Sequence, residues 1–149
     1  AVKEEIYDAV MDASPKGAVE LFHGYTYSGI PVSVAAALAV QDIFEKENIF
    51  KKSKEMSPYF LDGIFSLKDL AGIDNIRAYG MLAGIDMKLK EKPGRAGFEC
   101  FKTCYEVGVN FKATGDCLII APQFICEKKH IDEIIEKLRK GISDYSKSR

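Results

Sequence analysis

The sequence lacks the features that mark several large classes of protein. Its 149 residues carry a formal net charge of −1, which gives no electrostatic basis for binding nucleic acid or an anionic membrane. No apolar run approaches the roughly 20 residues that a membrane-spanning helix needs. The first residues do not have the pattern of a signal peptide. We therefore expect neither a nucleic-acid partner nor a membrane.

Common metal and cofactor motifs are also missing. The sequence has no Cys-x-x-Cys pair and no Gly-x-Gly-x-x-Gly, and neither histidine lies at ligand spacing from a cysteine. We expect Cys100, Cys104, Cys117 and Cys126 to be reduced and mostly buried, as small apolar residues are. No metal site is predicted, and reduced thiols favour a cytoplasmic location.

The apolar pattern predicts one α/β domain, or α+β in the strict sense. A small antiparallel sheet of about three strands, packed by helices, is the natural arrangement for this order of elements. The last helix is the clearest, because apolar residues recur on one face from Ile131 to Tyr145. Helices are predicted over 4–12, 33–50, 53–67, 97–107 and this last segment, a long strand over 75–87, and a hairpin over 109–121 with its turn at 115–116.

The segment Glu20–Pro31 differs from these regular elements. It contains three glycine or proline breaks and four aromatic or imidazole rings, which suit a plain core element poorly. Its glycines permit tight turns, and Pro31 directly precedes an alanine-rich helix. The composition predicts a shaped loop that leads into a helix.

Four parts of the chain carry a resemblance to a known family: Glu20–Pro31, Arg77–Asp86, the hairpin with Lys112–Asp116 and Leu118–Ile125, and Glu127–Leu138. Together they resemble the C-terminal third of the class III pyridoxal-phosphate aminotransferases, and especially the β-alanine:pyruvate or omega-amino-acid branch. The first segment is the most specific of the four. The resemblance implies the fold of the small C-terminal domain of fold-type I aminotransferases.

The resemblance also implies a domain organisation and partners. Residues 1–32 would be a remnant of the large cofactor-binding domain with its phosphate-contacting loop, and 33–149 an interdomain helix followed by the small C-terminal domain. The intact enzyme would be a homodimer that binds pyridoxal 5'-phosphate and acts on an amino donor and a 2-oxo acid.

The resemblance assigns roles to Tyr25, Thr26 and Lys112, and Ile30 departs from the family pattern. Thr26, with Tyr25 beside it, would contact the phosphate of the cofactor held by the partner subunit. Lys112 stands where the branch normally has an arginine that binds the substrate carboxylate. The planar guanidinium of arginine binds a carboxylate better than the point charge of a lysine ammonium does. Ile30 replaces the usual histidine of a Gly-His-Pro sequence, so the imidazole's role is lost or performed elsewhere.

The catalytic lysine of the family has no counterpart in these residues. The resemblance places this Schiff-base lysine shortly before a segment whose end looks like Ala1-Val2, and the chain begins without Met. We therefore expect a C-terminal fragment of an enzyme that moves an amino group from an ω-amino acid or amine to a 2-oxo acid such as pyruvate. No catalytic residue is predicted in this chain, and by itself it is expected to be inactive.

Other interpretations stay open at this stage. The same small domain occurs in other class III enzymes, such as an aminomutase or decarboxylase, and a stand-alone dimerisation or binding module is a further alternative. His23 is most simply a packing residue of its loop, Lys112 a solvated strand lysine and Arg77 a structural ion-pair partner. The sequence does not identify the amino donor or acceptor.

Overall fold

The computed structural model describes residues 1–14, 24–88 and 93–147. Within these ranges the chain forms five helices and four strands, in the predicted mixed order. They are α1 (Glu4–Ala13), α2 (Pro31–Lys46), α3 (Ile49–Phe65), β1 (Ile73–Tyr79), β2 (Leu82–Met87), α4 (Ala96–Glu106), β3 (Lys112–Thr114), β4 (Cys117–Ile120) and α5 (Lys128–Lys147).

The segment predicted as one long strand is a hairpin. β1 and β2 pair antiparallel, and the chain reverses between Tyr79 and Leu82. Gly80 lies at φ +60°, a left-handed conformation that glycine adopts without strain, at the first position of a two-residue turn. The described sheet therefore has four strands rather than about three, in the order β1-β2-β4-β3.

The second hairpin agrees with the prediction from the sequence. β3 and β4 pair antiparallel around Gly115 and Asp116, and Gly115 has φ +57°. The end of α4 was also predicted correctly. Gly108 lies at φ +90°, and the N–H of Val109 donates to the carbonyl of Cys104 at 3.1 Å, as in the common glycine-terminated helix ending.

The core lies between one face of this sheet and helices α3, α4 and α5. Burial follows the alternation of β2 and β4 on the sheet side and the apolar stripes of the helices on the other. This confirms the predicted small antiparallel sheet with helical packing. Fully buried side chains at its centre are Phe60, Ile64, Leu67, Ile85, Leu118, Ile131, Leu138 and Ile142.

Asp116 links the second hairpin to the start of α4. Its carboxylate accepts the N–H of Gly94 at 2.5 Å and the N–H of Ala96 at 2.9 Å. Arg95, the residue before the helix, provides no side-chain cap. A carboxylate that is distant in sequence therefore accepts the first N–H of α4 and an N–H just before the helix, and so acts as a cap for this helix start.

Replacing Asp116 with alanine is expected to lower the free energy of unfolding by about 1–2 kcal/mol, since helix caps contribute this much. Asp116→Asn should lose less, because the amide oxygen still accepts one of the two hydrogen bonds. Urea unfolding of the three proteins measures the difference. An alanine variant as stable as the parent would show that this cap is unimportant.

The chain divides into two compact units, Ala1–Val40 and Gln41–Arg149, with the boundary inside α2. None of the described residues of the first unit is buried. Large apolar side chains such as Ile6, Tyr7 and Leu38 are each more than half exposed. The second unit holds the sheet and the core.

The four cysteines are free thiols, as predicted. Cys100 and Cys104 are buried, while Cys117 and Cys126 are partly buried. A hydrogen bond with Cys104, together with burial, raises the pKa of the Cys100 thiol. Across the described ranges, no helix has both the length and the apolar character needed to cross a membrane.

Candidate functional site

The first candidate region is the turn before α2. The N–H of Ser28 donates to the carbonyl of Tyr25 at 3.0 Å, which closes a turn with Thr26 and Tyr27 at its centre. Gly29 follows at φ +75°. The four residues of the turn are exposed, and the Thr26 hydroxyl has no hydrogen-bond partner among the described residues.

The turn leads directly into the helix start. Pro31 is the first residue of α2, where its missing N–H costs nothing, and the N–H of Val34 donates to the carbonyl of Ile30 at 3.0 Å. Ile30 has no side-chain oxygen to cap the helix. A hydroxyl close in sequence to a helix start whose N-cap residue lacks a side-chain acceptor is a donor set that suits a phosphate, so these residues fit the group that the resemblance implies. Residues Glu20–His23 of the same predicted loop lie outside the described residues.

The second candidate region is the face of the sheet opposite the helices. Residues directly opposite each other in antiparallel strands share a face. Arg77 pairs with Gly84, Gly84 with Ile119, and Ile119 with Lys112, so these four form one row across all four strands. We call this surface the open face. Lys112 is exposed on it and has no ion-pair or hydrogen-bond partner among the described residues.

Arg77 is held in place on the open face. It forms an ion pair with Asp86, and its Nη2 lies 3.5 Å from the Cys117 sulfur. The guanidinium passes over Gly84, where an added Cβ would lie 3.5 Å from Arg77 Cζ and 3.3 Å from Cys117 Sγ. The predicted structural ion-pair role of Arg77 is therefore confirmed.

This ion pair shifts the titration of its neighbours. Burial alone would raise the pKa of Asp86, but hydrogen bonds from Arg77 and the Cys117 thiol bring it below its usual range. Burial, with the adjacent Asp86 carboxylate, raises the pKa of Cys117. Asp86 is thus an anion and Cys117 a protonated thiol at neutral pH, which makes Cys117 a poor nucleophile.

The residues predicted as site residues lie in two different units. Tyr25 and Thr26 share the turn of the first unit, while Lys112 lies on β3 of the second. The sequence prediction missed Asp86 as the partner of Arg77. Strand alternation shows which residues within one strand share a face. Only the pairing register shows that Arg77 and Lys112 lie on the same face of the sheet.

Comparison with known families gives one match over most of the chain. The family model described as aminotransferase class-III matches residues 1–142. Among curated proteins, the omega-aminotransferase of Caulobacter vibrioides is 36% identical over 141 residues, covering 94% of this chain. The beta-alanine–pyruvate aminotransferase of Pseudomonas aeruginosa is 32% identical over 141 residues, covering 93%.

Solved structures show the same likeness. The adenosylmethionine-8-amino-7-oxononanoate aminotransferase of Methanocaldococcus jannaschii matches with a TM-score of 0.72 and 27% identity, over 94% of this chain and 33% of that structure. The match covers 32% of each of the two curated relatives. This chain therefore spans about a third of the length of the proteins it resembles.

Proposed function

Because this chain belongs to the class III aminotransferase family, we propose that the protein containing it is an aminotransferase of the omega-amino-acid type. It would transfer an amino group from an ω-amino acid or amine to a 2-oxo acid such as pyruvate. The observation that carries this proposal is the family match over residues 1–142, and the two curated relatives named above support the branch. Aminotransferases of this family depend on pyridoxal phosphate.

We propose that the turn before α2 holds the phosphate of that cofactor. The exposed Thr26 hydroxyl would donate to a phosphate oxygen, and the backbone at Tyr25 and Thr26 would lie beside it. Charge-assisted hydrogen bonds of this kind are short and strong, and the nearby helix start favours an anion. When bound, the cofactor supplies an electron sink for carbanion chemistry, while this turn fixes its position.

In this proposal Thr26 serves the cofactor of the partner subunit in a homodimer. Residues 1–32 would belong to the large cofactor-binding domain, and 33–149 to the interdomain helix and the small C-terminal domain. α1 and α2 expose several large apolar side chains, which isolated domains rarely do. This exposure supports the proposal that the first residues of the chain are part of a larger domain. The four free thiols support a reducing compartment such as the cytoplasm.

Lys112 is proposed to bind the substrate carboxylate. It is an exposed cation without an ion-pair partner in the described part of the chain, on a face whose other cation is already neutralised by Asp86. An ammonium group attracts a carboxylate as a point charge but does not impose the planar two-bond geometry of arginine. Lys112 therefore orients the acid end of a substrate less rigidly than the arginine of the branch would.

Replacing Lys112 with glutamine in the whole protein should lower kcat/KM for ω-amino acid donors about 10-fold, since a hydrogen bond to a charged group is lost. Lys112→Arg should keep or raise it. Amino transfer to pyruvate, followed as alanine formed, measures both effects.

An amine donor without a carboxylate provides the control for this experiment. Its kcat/KM should stay within about twofold of the parent value, because no charged contact is lost. An equal loss with both donors would contradict carboxylate binding by Lys112.

The isolated 149-residue chain should form no alanine, since the family's cofactor-binding lysine has no counterpart in it.

A further inference from the structure

The open face carries two long cationic side chains in one row. Arg77 and Lys112 lie at opposite ends of this row, on the two edge strands, with Gly84 and Ile119 between them. Strand spacing puts their Cα atoms about 14 Å apart. The Arg77 side chain lies over Gly84, and the Lys112 side chain can lean inward over Ile119. Neither of these two central residues carries a charge.

Asp86 makes these two cations unequal. It holds Arg77 in an ion pair, and the side chain of Asp86 is only 27% exposed. Because Gly84 has no side chain, the Arg77 guanidinium can lie over it, and the guanidinium also contacts the Cys117 sulfur. Lys112 is therefore the cation of this face that is left without an ion-pair partner in the described ranges.

The surface beside Arg77 offers little to a second anion. A groove of about 400 Å³ is lined mainly by Ala78, Tyr79, Leu82, Ala83 and Ile119, with Arg77, Gly84 and Cys117 completing it. Tyr79 is 90% exposed and Leu82 is 53% exposed. A carboxylate placed here would lose water without gaining a free cation, because Arg77, the cation that lines the groove, is already paired with Asp86.

We propose that Asp86, by neutralising Arg77, limits the open face to binding one carboxylate, so that a second acid group on the ligand adds no affinity. The carboxylate is held by Lys112, the aliphatic part of the ligand lies along the apolar groove, and short dicarboxylates gain nothing from their second acid group. Asp86 is a positioning residue in this scheme, because it acts through Arg77. The inference rests on the proposed role of Lys112.

Removing the charge of Asp86 should create affinity for a second carboxylate. In Asp86→Asn the guanidinium is released and can grip a second carboxylate with two parallel hydrogen bonds. The matched probes are valerate and glutarate, which have the same number of carbons but one and two carboxylates. Titration of the 149-residue chain, followed by amide chemical shifts in NMR spectra, gives the dissociation constant of each.

For the parent chain we expect glutarate to bind no more than about twofold more tightly than valerate. In Asp86→Asn glutarate should bind about 10-fold more tightly, with valerate unchanged, as expected for one added charged contact. Asp86→Ser should show the same gain, which provides a second variant if the asparagine chain folds poorly. Asp86→Glu, which keeps the carboxylate, and the double variant Asp86→Asn/Arg77→Gln should both keep the parental ratio.

Two results would overturn the inference, and they are distinguishable. If Asp86→Asn and Asp86→Ser keep the parental ratio while Lys112→Gln weakens both ligands, Asp86 does not set selectivity although Lys112 binds carboxylates. If Lys112→Gln changes neither binding nor chemical shifts, or no variant shows saturable binding, the proposed role of Lys112 fails and the inference fails with it. If Asp86 has only a structural role, its variants will be less stable than the parent, but the ratio of the dissociation constants for valerate and glutarate will not change.

Discussion

Replacing Thr26 with valine is expected to weaken cofactor binding by the whole protein about 10- to 100-fold, since one charge-assisted hydrogen bond to phosphate is lost. Valine has nearly the shape of threonine, so the exposed turn between Tyr25 and Ser28 should keep its geometry. Titration of the cofactor-free protein with pyridoxal phosphate, followed by absorbance, measures the dissociation constant.

Two neighbouring substitutions serve as controls for the Thr26 experiment. Thr26→Ser keeps a hydroxyl at the same position and should restore most of the affinity. Ser28→Ala removes a hydroxyl from the other end of the same turn and should change the affinity less than threefold, since its backbone N–H still closes the turn. Equal losses for Thr26→Val and Ser28→Ala would show that the turn as a whole, rather than the Thr26 hydroxyl, determines binding.

Replacing Gly141 with alanine is expected to lower the free energy of unfolding of the chain by about 1–3 kcal/mol. Gly141 lies where α5 crosses α4, and an added Cβ would lie 2.6 Å from Cys104 Sγ and 2.8 Å from Cys104 Cα. The second atom belongs to the backbone, so a side-chain rotation cannot relieve the contact. The two helices must separate, and this cost exceeds the roughly 1 kcal/mol that alanine gains over glycine in a helix.

Gly63 provides a matched control on another helix. An added Cβ there would lie 2.9 Å from Ile135 Cγ1 and 3.3 Å from Ile135 Cδ1, atoms of a side chain that can change rotamer. Gly63→Ala should therefore stay within about 1 kcal/mol of the parent, because helix propensity offsets the contact. Urea unfolding of both variants measures the contrast. A Gly141→Ala chain as stable as Gly63→Ala would refute the close packing of α4 on α5.

The parts of the fold that the sequence predicts are those with local causes. The stripe on α5 follows from helical spacing, and its residues Ile131, Leu138 and Ile142 are indeed buried. The hairpin at Gly115 and the helix end at Gly108 follow from glycines that reach positive φ. Each signal lies within a few residues of the structure that it specifies.

The first hairpin was missed because its turn resembles the strands beside it. Gly80 and Met81 reverse the chain, but Met81 is apolar and buried, and another glycine follows at 84. Nothing in the sequence distinguishes the glycine that turns from the glycine that makes room for Arg77. Only strand pairing separates the two roles.

The sequence predicted only part of the candidate site, for a similar reason. The family resemblance pointed to Tyr25, Thr26 and Lys112, and Arg77 was interpreted correctly as an ion-pair partner. That Arg77 and Lys112 share one face depends on the register of three strand pairs, which no local pattern specifies. The roles of Thr26, Tyr25 and Lys112 remain predictions.

The DNA sequence of the reading frame immediately upstream of Ala1 tests most directly whether these residues are the C-terminal part of an aminotransferase. We predict that the frame stays open and encodes a large domain with a lysine shortly before Ala1, at the place of the family's cofactor-binding lysine. A stop codon or unrelated sequence there would contradict this assignment and would favour a stand-alone binding or dimerisation module.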